Sequence, residues 1–188
     1  MYAGKHAEQK DGQVRKIVGL VVMAAAFFLL VQALRIFVFQ GYLIPSGSME
    51  ETLMIGDRVI AEKVTYHFRD VEPGDIVIFE DPNIPRRILV KRCVAVGGQT
   101  VDLKDGQLFV DGVAQNEPYT LGKQSVPLVR TSVDVSYPYF VPEGTIWVMG
   151  DNRTNSQDAR YFGPINLTSV YGRALMIYWP LEHVHVFE

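Results

Sequence analysis

The pattern of apolar positions changes once along the chain, near residue 40. The residues from Ile17 to Leu34 form an apolar run that contains no charged side chain and is followed by Arg35. A helix needs about 20 mostly apolar residues, with a lower limit near 17, to cross the hydrocarbon core of a bilayer. The run therefore predicts one transmembrane helix, which we place at residues 17–39, with Arg35 reaching the interface.

Three alternative structures fit this apolar run less well. A cleaved signal peptide has an apolar core of about 7–15 residues followed by small residues, whereas the bulky residues 34–39 follow here. A buried core helix would usually contain polar positions. An interfacial helix needs a polar face, which this run lacks. A retained membrane anchor is therefore the preferred interpretation.

The pattern after residue 40 consists of short runs of β-forming residues between turn signals. The predicted strands are residues 75–79, 88–96, 100–103, 107–110, 145–149, 173–178 and 183–187. No amphipathic stretch there is long enough to predict a major helix, and the proline-containing residues 113–140 are predicted as a long excursion or an edge region. The fold class is therefore mainly β, with antiparallel sheets folded on themselves in a domain at residues 40–188.

Composition narrows the classes of function. The 188 residues allow one compact domain and a small appendage. Apolar residues make up 48% and charged residues 21%, which excludes general disorder. The single cysteine, Cys93, excludes an intramolecular disulfide and cysteine-based zinc clusters. The net charge of −3 argues against a nucleic-acid binder.

The distribution of charge predicts the orientation of the anchor. Lys5, Lys10, Arg15 and Lys16 come shortly before the apolar run. Basic residues next to a transmembrane helix stay on the cytoplasmic side. We therefore expect residues 1–16 to form a cytoplasmic tail and the β-domain to lie outside the cytoplasm.

Two serines directly after the anchor are the first candidates for chemistry. Ser46 and Ser48 alternate with Pro45 and Gly47, which fix a bent backbone beside apolar side chains. An ordinary turn or helix cap is the simpler interpretation, because serine, proline and glycine all favour such places. These residues alone do not establish a catalytic serine.

A lysine within a predicted strand changes the interpretation of the serines. Strand alternation places Leu89, Lys91 and Cys93 on one face of the strand at residues 88–96. If that face is buried, the pKa of Lys91 falls from about 10.4 by up to several units, and a neutral lysine can act as a base toward a serine hydroxyl. The alternative is an edge strand with Lys91 in water.

A polar segment at residues 149–160 is the third candidate. It alternates aspartates with arginines and contains a serine. An EF-hand calcium loop would need glycine near Ser156 and glutamate at Phe162, and the chain has neither. An ion-paired scaffold or a polar surface loop remains. The four histidines suggest no metal site.

Taken together, these segments resemble the bacterial type I signal peptidases, which are membrane-anchored serine endopeptidases with a Ser-Lys dyad. The matching segments, in family order and directly after an N-terminal span, are Pro45–Met49, Gly56–Val59, Val90–Arg92, Val141–Gly144 and Met149–Asp158 with Arg160. The resemblance covers residues 15–180. It implies a signal-peptidase-like β-domain behind one transmembrane helix.

The resemblance also implies roles for individual residues. Ser48 is the expected nucleophile, Lys91 the general base, and Ser156 the residue whose hydroxyl orients the lysine amine. The oxyanion hole is expected to combine the Ser46 hydroxyl with the backbone N–H of Ser48. The expected ion pair that holds the Ser156 loop is Asp158 with Arg160, with Arg92 and Asp151 nearby. The candidate residues of the substrate pocket are Tyr42, Ile44, Met49, Leu53 and Val90.

The function that the resemblance implies is removal of N-terminal signal peptides from secreted pre-proteins, with cleavage after a small-x-small motif. It implies no metal, organic cofactor or nucleic acid, and the partners would be pre-proteins and the lipid bilayer of a bacterial cell membrane. We expect a monomer. The alternative is a catalytically silent, membrane-anchored β-domain that binds peptides or a partner, and a peptide-cleavage assay separates the two.

Overall fold

The computed structural model describes the backbone of residues 3–187 and the side chains of residue 13 and residues 15–187. Met1 and Tyr2 of the predicted tail, and the side chains of Lys5 and Lys10, lie outside the described residues. The chain divides into two compact units, Met1–Phe39 and Gln40–Glu188.

The first unit is a single long helix, α1, at Ala3–Phe37. Its segment Arg15–Phe37 has a mean hydropathy of 2.6, and none of it is buried within the protein. At 1.5 Å per residue, a helix of 23 residues exceeds the roughly 30 Å of a bilayer core. This one helix is therefore long and apolar enough to cross a membrane, and it continues back into residues 3–16 rather than beginning at the apolar run.

The second unit is built from strands, which confirms the mainly β prediction. In chain order the strands are β1 (Phe39–Leu43), β2 (Arg58–Glu62), β3 (Ile76–Glu80), β4 (Ile88–Val96), β5 (Thr100–Lys104), β6 (Gln107–Val110), β7 (Val113–Ala114), β8 (Tyr139–Phe140), β9 (Thr145–Met149), β10 (Ile165–Asn166), β11 (Val170–Trp179) and β12 (His185–Val186). The only α-helix described after residue 40 is the single turn α2 at Ala159–Phe162.

The strands form two sheets. The larger has the order β1-β2-β11-β3-β4-β9-β10, with β12 also paired to β11. The smaller has the order β7-β6-β5-β8, and β5 and β6 form a hairpin across Asp105 and Gly106. Residues 113–140, which the sequence predicts as an excursion, begin and end with the short strands β7 and β8 at the two edges of this smaller sheet.

Both faces of the larger sheet are covered at its centre. Along β3, Val77 and Phe79 belong to one buried cluster, whereas Ile76 and Ile78 belong to another. Alternate residues of a strand point to opposite faces, so the two clusters lie on opposite sides of the sheet. The first cluster also contains residues of the smaller sheet, and the second contains the apolar residues around Ser48.

One edge of β4 is left open near its beginning. On one side, β3 pairs with β4 from Ile88 to Arg92. On the other side, the pairing with β9 begins only at Arg92. Within the described residues, no strand therefore pairs with the second edge of residues 88–91. This open edge forms one wall of the candidate active site.

Candidate active site

The turn that carries Ser48 is anchored to the core by apolar side chains. A 3₁₀ turn spans Gly47–Met49, and the side chains of Ile44 and Met49 are buried in the second cluster. The backbone N–H of Leu53 donates to the Met49 carbonyl at 2.7 Å, which continues the turn. Ser48 itself is half-buried and lines the same cleft as residues 88–91 of β4.

Lys91 approaches this hydroxyl from β4. It pairs across the sheet with the fully buried Val77, and only 2% of its surface is exposed. Its Nζ atom donates to Ser48 Oγ at 2.6 Å and to the Val90 carbonyl at 3.1 Å. The side chain of Lys91 is therefore buried, while its amine reaches the serine hydroxyl.

The surroundings of Lys91 lower the pKa of its amine. Burial of the ammonium group lowers the pKa of Lys91 from 10.5 to about 8, and the carboxylates of Asp158 and Asp151 oppose this shift only in part. A usable fraction of the amine is therefore neutral at mildly alkaline pH. In that state its lone pair can accept a proton from the Ser48 hydroxyl.

The loop after β9 packs against the backbone of the Ser48 turn. The Asn152 N–H donates to the Ser48 carbonyl at 3.1 Å, and the Asp151 N–H contacts Met49 Sδ at 3.4 Å. Gly150 makes this approach possible, because a Cβ atom there would overlap Ser156 Oγ and the Ser48 carbonyl oxygen. Close packing of two backbones therefore requires glycine at this position.

Two ion pairs, one fully buried and one partly buried, hold the loop in place. Asp158 and Arg160 are fully buried and joined by two hydrogen bonds of 2.9 Å. Burial alone would raise the pKa of Asp158, but the hydrogen bonds and charge of Arg160 outweigh it, so the pKa lies below its usual range. Arg92 binds Asp151 in the same two-pronged way, at 2.9 and 2.7 Å.

Ser46 and Ser156, the other two serines of the predicted site, differ in their surroundings. Ser46 is exposed and lines the same cleft as Ser48 and Lys91. Ser156 Oγ is buried, and no hydrogen bond of normal geometry joins it to a described residue. It lies close enough to Asp158 to help lower the pKa of that carboxyl. The oxygen of Ser156 is therefore next to the ion pair, while the hydrogen bonds described for Lys91 go to Ser48 and Val90.

A cleft of about 350 Å³ runs between the segment before Ser48 and the open edge of β4. Four of the five predicted pocket residues line it, namely Tyr42, Ile44, Met49 and Val90. The fifth, Leu53, is fully buried in the core cluster beneath the Ser48 turn and does not line the wall. The cleft is mostly apolar. Ser48 and Lys91 lie near the C-terminal ends of the two segments that line it, residues 42–49 and 87–91.

Several contributors to the site were not singled out from the sequence. Arg87 lines the cleft and forms an ion pair with the buried Asp81, and its charge adds to the lowering of the Lys91 pKa. Thr52 donates to Asp151 at 2.6 Å. The side chain of Asn152 binds the Gly47 carbonyl. The partners of Thr52 and Asn152 lie 99 and 105 positions away in the sequence, so no local sequence signal marks these two contacts.

The described residues contain no group of three or more histidine, cysteine or carboxylate side chains placed to hold a metal ion. The groups that line the cleft include the Ser48 hydroxyl and the Lys91 amine.

Comparison with known proteins assigns the family. The family model described as "Signal peptidase, peptidase S26" matches residues 14–179. A probable signal peptidase I-1 from Synechocystis is 35% identical over 176 residues, which cover 89% of this chain and 83% of that protein. The chain belongs to the S26 signal peptidase family. This confirms the resemblance predicted from the sequence, and the matched range spans the Ser48 turn, β4 and the loop after β9.

Other members of the family match over different shares of their length. Thylakoidal processing peptidase 1 from Arabidopsis thaliana chloroplasts is 41% identical over 151 residues, which are 75% of this chain and 42% of that protein. The chain thus spans about two fifths of the thylakoidal peptidase's length. The crystal structure of a signal peptidase I from Enterococcus faecalis is 31% identical, covers 56% of this chain and 97% of its own, and has a TM-score of 0.47.

Proposed function

We propose that this protein is a membrane-anchored serine endopeptidase that removes N-terminal signal peptides from pre-proteins. The observation that carries the proposal is the pair formed by Ser48 Oγ and Lys91 Nζ, 2.6 Å apart at an open cleft. The names of its relatives, a signal peptidase I and a thylakoidal processing peptidase, support the same type of reaction.

In the proposed mechanism, neutral Lys91 accepts the Ser48 proton while Oγ attacks the carbonyl carbon of the peptide bond. The negative charge on the carbonyl oxygen is stabilised by the Ser46 hydroxyl and the Ser48 N–H, and one such donor typically accounts for about 3–4 kcal/mol. Lys91 then protonates the leaving amine. Water hydrolyses the acyl-enzyme, with Lys91 again accepting a proton. In this mechanism the Ser156 hydroxyl orients the lysine amine, and the Asp158–Arg160 pair holds the loop that carries Ser156.

The open edge of β4 suggests how the substrate binds. An extended peptide can add to a free strand edge, with its alternate side chains entering pockets on one wall. Residues 88–91 offer such an edge, and the facing wall is the apolar segment from Tyr42 to Ser46. Shallow pockets lined by bulky apolar side chains would accept small side chains and exclude large ones. Cleavage after a small-x-small motif is therefore the proposed specificity.

The helix α1 supports the membrane part of the proposal. We assign the single transmembrane anchor to residues 17–39, the cytoplasmic tail to residues 1–16, and the catalytic domain outside the cytoplasm to residues 40–188. The apolar segment Arg15–Phe37 supports the anchor, and the basic residues before it support the orientation. Such a protease would work where pre-proteins emerge from a bacterial-type membrane, with the lipid bilayer as its second partner.

A cleavage assay tests the proposal. The full chain, purified in detergent, is incubated with a pre-protein bearing a signal peptide, and the new N-terminus is sequenced. We expect cleavage after a small-x-small motif by the wild type and none by Ser48→Ala. Binding of the pre-protein without cleavage by the wild type would favour the silent β-domain instead.

A further inference from the structure

The peptide bond between Gly47 and Ser48 is held by more contacts than the turn itself requires. Its carbonyl oxygen, on Gly47, accepts from the Glu50 N–H at 3.2 Å, which closes the turn. The same oxygen also accepts from Asn152 Nδ2 at 2.9 Å, across 105 positions of sequence. A carbonyl oxygen has two lone pairs, so both of its acceptor sites are occupied.

Fixing this carbonyl also fixes a donor at the cleft. The peptide unit is planar and trans, so its N–H points in the direction opposite to its C=O. The N–H of this unit belongs to Ser48, the same N–H that the proposed mechanism uses to stabilise the oxyanion. A rotation of the peptide would turn that N–H away, and the bond from Asn152 opposes such a rotation.

Asn152 also holds the next peptide unit. Its backbone N–H donates to the Ser48 carbonyl at 3.1 Å. One residue therefore binds the carbonyl on each side of the Ser48 Cα, first through its side chain and then through its backbone. Asn152 thus holds the backbone on both sides of Ser48, from which the Ser48 N–H projects.

Asn152 is itself firmly placed. It is 5% exposed, and its Nδ2 atom donates a second hydrogen bond of 3.0 Å to Glu50 Oε2. Both neighbours of this nitrogen are acceptors, so the amide group cannot be reversed without losing both bonds. The preceding residue, Asp151, is bound by Arg92 and Thr52. The Asn152 side chain can therefore act as a rigid support for the Gly47 carbonyl.

We propose that Asn152 is a positioning residue that orients the Ser48 N–H as an oxyanion donor, an inference that rests on the proposed function. Its contribution is made mainly in the transition state, because the oxyanion exists only there and in the tetrahedral intermediate. Losing one oxyanion donor outright typically lowers kcat by about 10²- to 10³-fold. Loss of the support alone should lower kcat by about 10- to 100-fold, with little change in KM.

The variants are chosen to separate this role from a general structural one. Asn152→Ala removes the bond to Gly47. Asn152→Asp keeps the shape but replaces the donor with an oxygen that repels both the Gly47 carbonyl and Glu50. Gln157→Ala is the matched control, because Gln157 is an exposed amide side chain in the same loop. If Asn152→Ala fails to fold, the isosteric Asn152→Asp carries the test.

The experiment measures kcat and KM of the full chain in detergent, and the affinity for two peptide probes. A peptide aldehyde adds Ser48 Oγ to its carbonyl carbon and places the resulting oxygen where the oxyanion forms. The corresponding peptide alcohol binds without that adduct. We expect both Asn152 variants to lose kcat and aldehyde affinity by similar factors and to bind the alcohol as the wild type does, while Gln157→Ala behaves as the wild type.

Two outcomes would overturn the inference while leaving the proposed function intact. One is a wild type that cleaves and Asn152 variants that cleave at the same rate. The other is an equal loss of affinity for the aldehyde and the alcohol, which would indicate a distorted cleft rather than a misdirected N–H. A wild type that cleaves no signal-peptide substrate is a distinct result, because it overturns the proposed function itself and with it the oxyanion role of Asn152.

Discussion

Lys91 Nζ lies 2.6 Å from Ser48 Oγ, although the two residues are 43 positions apart in the sequence. The serine lies on a tight turn behind β1, and the lysine lies on the part of β4 that β9 leaves unpaired. The contact is formed in surroundings that bury the amine and lower its pKa to about 8. Both the free energy of unfolding and the rate of cleavage should therefore depend on whether the Lys91 amine is protonated.

The ion pair between Asp158 and Arg160 is expected to be necessary for stability. Both side chains are fully buried, so Asp158→Ala leaves the Arg160 guanidinium unpaired in a medium of low dielectric constant. Breaking such a pair typically lowers the free energy of unfolding by about 3–5 kcal/mol. Denaturant unfolding of the two chains measures this difference.

A control for this substitution is Asp134→Ala, because Asp134 is exposed. We expect it to change the free energy of unfolding by less than about 0.5 kcal/mol. Equal stability of Asp158→Ala and Asp134→Ala would show that the buried pair is not important for folding.

Gly150 is expected to tolerate no side chain. An added Cβ would overlap Ser156 Oγ and the Ser48 carbonyl oxygen, so Gly150→Ala must push the loop away from the Ser48 turn. We expect a loss of peptide cleavage of at least about 10-fold, because a displacement near 1 Å can cost about 100-fold in rate. In contrast, Gly19→Ala, where nothing lies within 4 Å, should cleave at the wild-type rate.

The strands were largely predictable because their local patterns are strong. The strands predicted at residues 88–96, 107–110 and 145–149 coincide with β4, β6 and β9. In contrast, β1 and β2 were not predicted. β1 directly follows the apolar run of the anchor, and β2 lies shortly after the serine-containing segment Pro45–Met49, so neither stood out as a strand. The predicted strand at 183–187 is reduced to His185–Val186, because a 3₁₀ turn at Leu181–His183 takes up its beginning.

The candidate site was predictable only where a residue has an unusual local context. Lys91 within an apolar strand is such a case, because alternation alone places it on one face with Cys93. Asn152 is not, because an asparagine in a polar loop is ordinary until the fold places it against Gly47. The same holds for Leu53, whose apolar character fits a pocket wall and a core equally well. The structure places Leu53 in the core.

Lys91 is expected to reduce the stability of the fold at neutral pH. Its pKa is 10.5 when exposed and about 8 in the folded chain, so the unfolded chain binds more protons between these values. Stability should therefore rise with pH from about 8 to 10.5 and be lowest, by roughly 3 kcal/mol, below that window. Lys91→Met should be inactive but more stable than the wild type at pH 7.

Unfolding of the wild type and of Lys91→Met across pH 7 to 11 measures this effect. The difference between the two chains, rather than either curve alone, isolates the lysine from the other titrating groups. The advantage of the Met variant should shrink as the pH passes through the window. A constant difference would mean that the pKa of Lys91 is the same in the folded and unfolded chains.

The rate of cleavage is expected to follow the ionisation of Lys91. Below about pH 8 the amine is protonated and cannot accept the Ser48 proton, and above that value it is neutral. The kcat/KM of the free enzyme should therefore rise with pH and level off above about 8, whereas an ordinary lysine would give a rise near pH 10.4. A profile that is flat from pH 6 to 10 would exclude lysine as the base.

Lys91→Arg provides the sharpest test of the proposed dyad. Arginine keeps the positive charge and can still donate a hydrogen bond toward Ser48, but its guanidinium stays protonated at any pH at which the protein is folded. Cleavage should therefore be lost at every pH, although binding of an uncleavable peptide at the cleft persists. Lys91→His is not equivalent, because its imidazole is neutral at mildly alkaline pH but too short to reach Ser48 well, so we expect only a small residual rate. If Lys91→Arg cleaved at a near-normal rate, the base would have to be another group, and the Ser-Lys mechanism would be wrong.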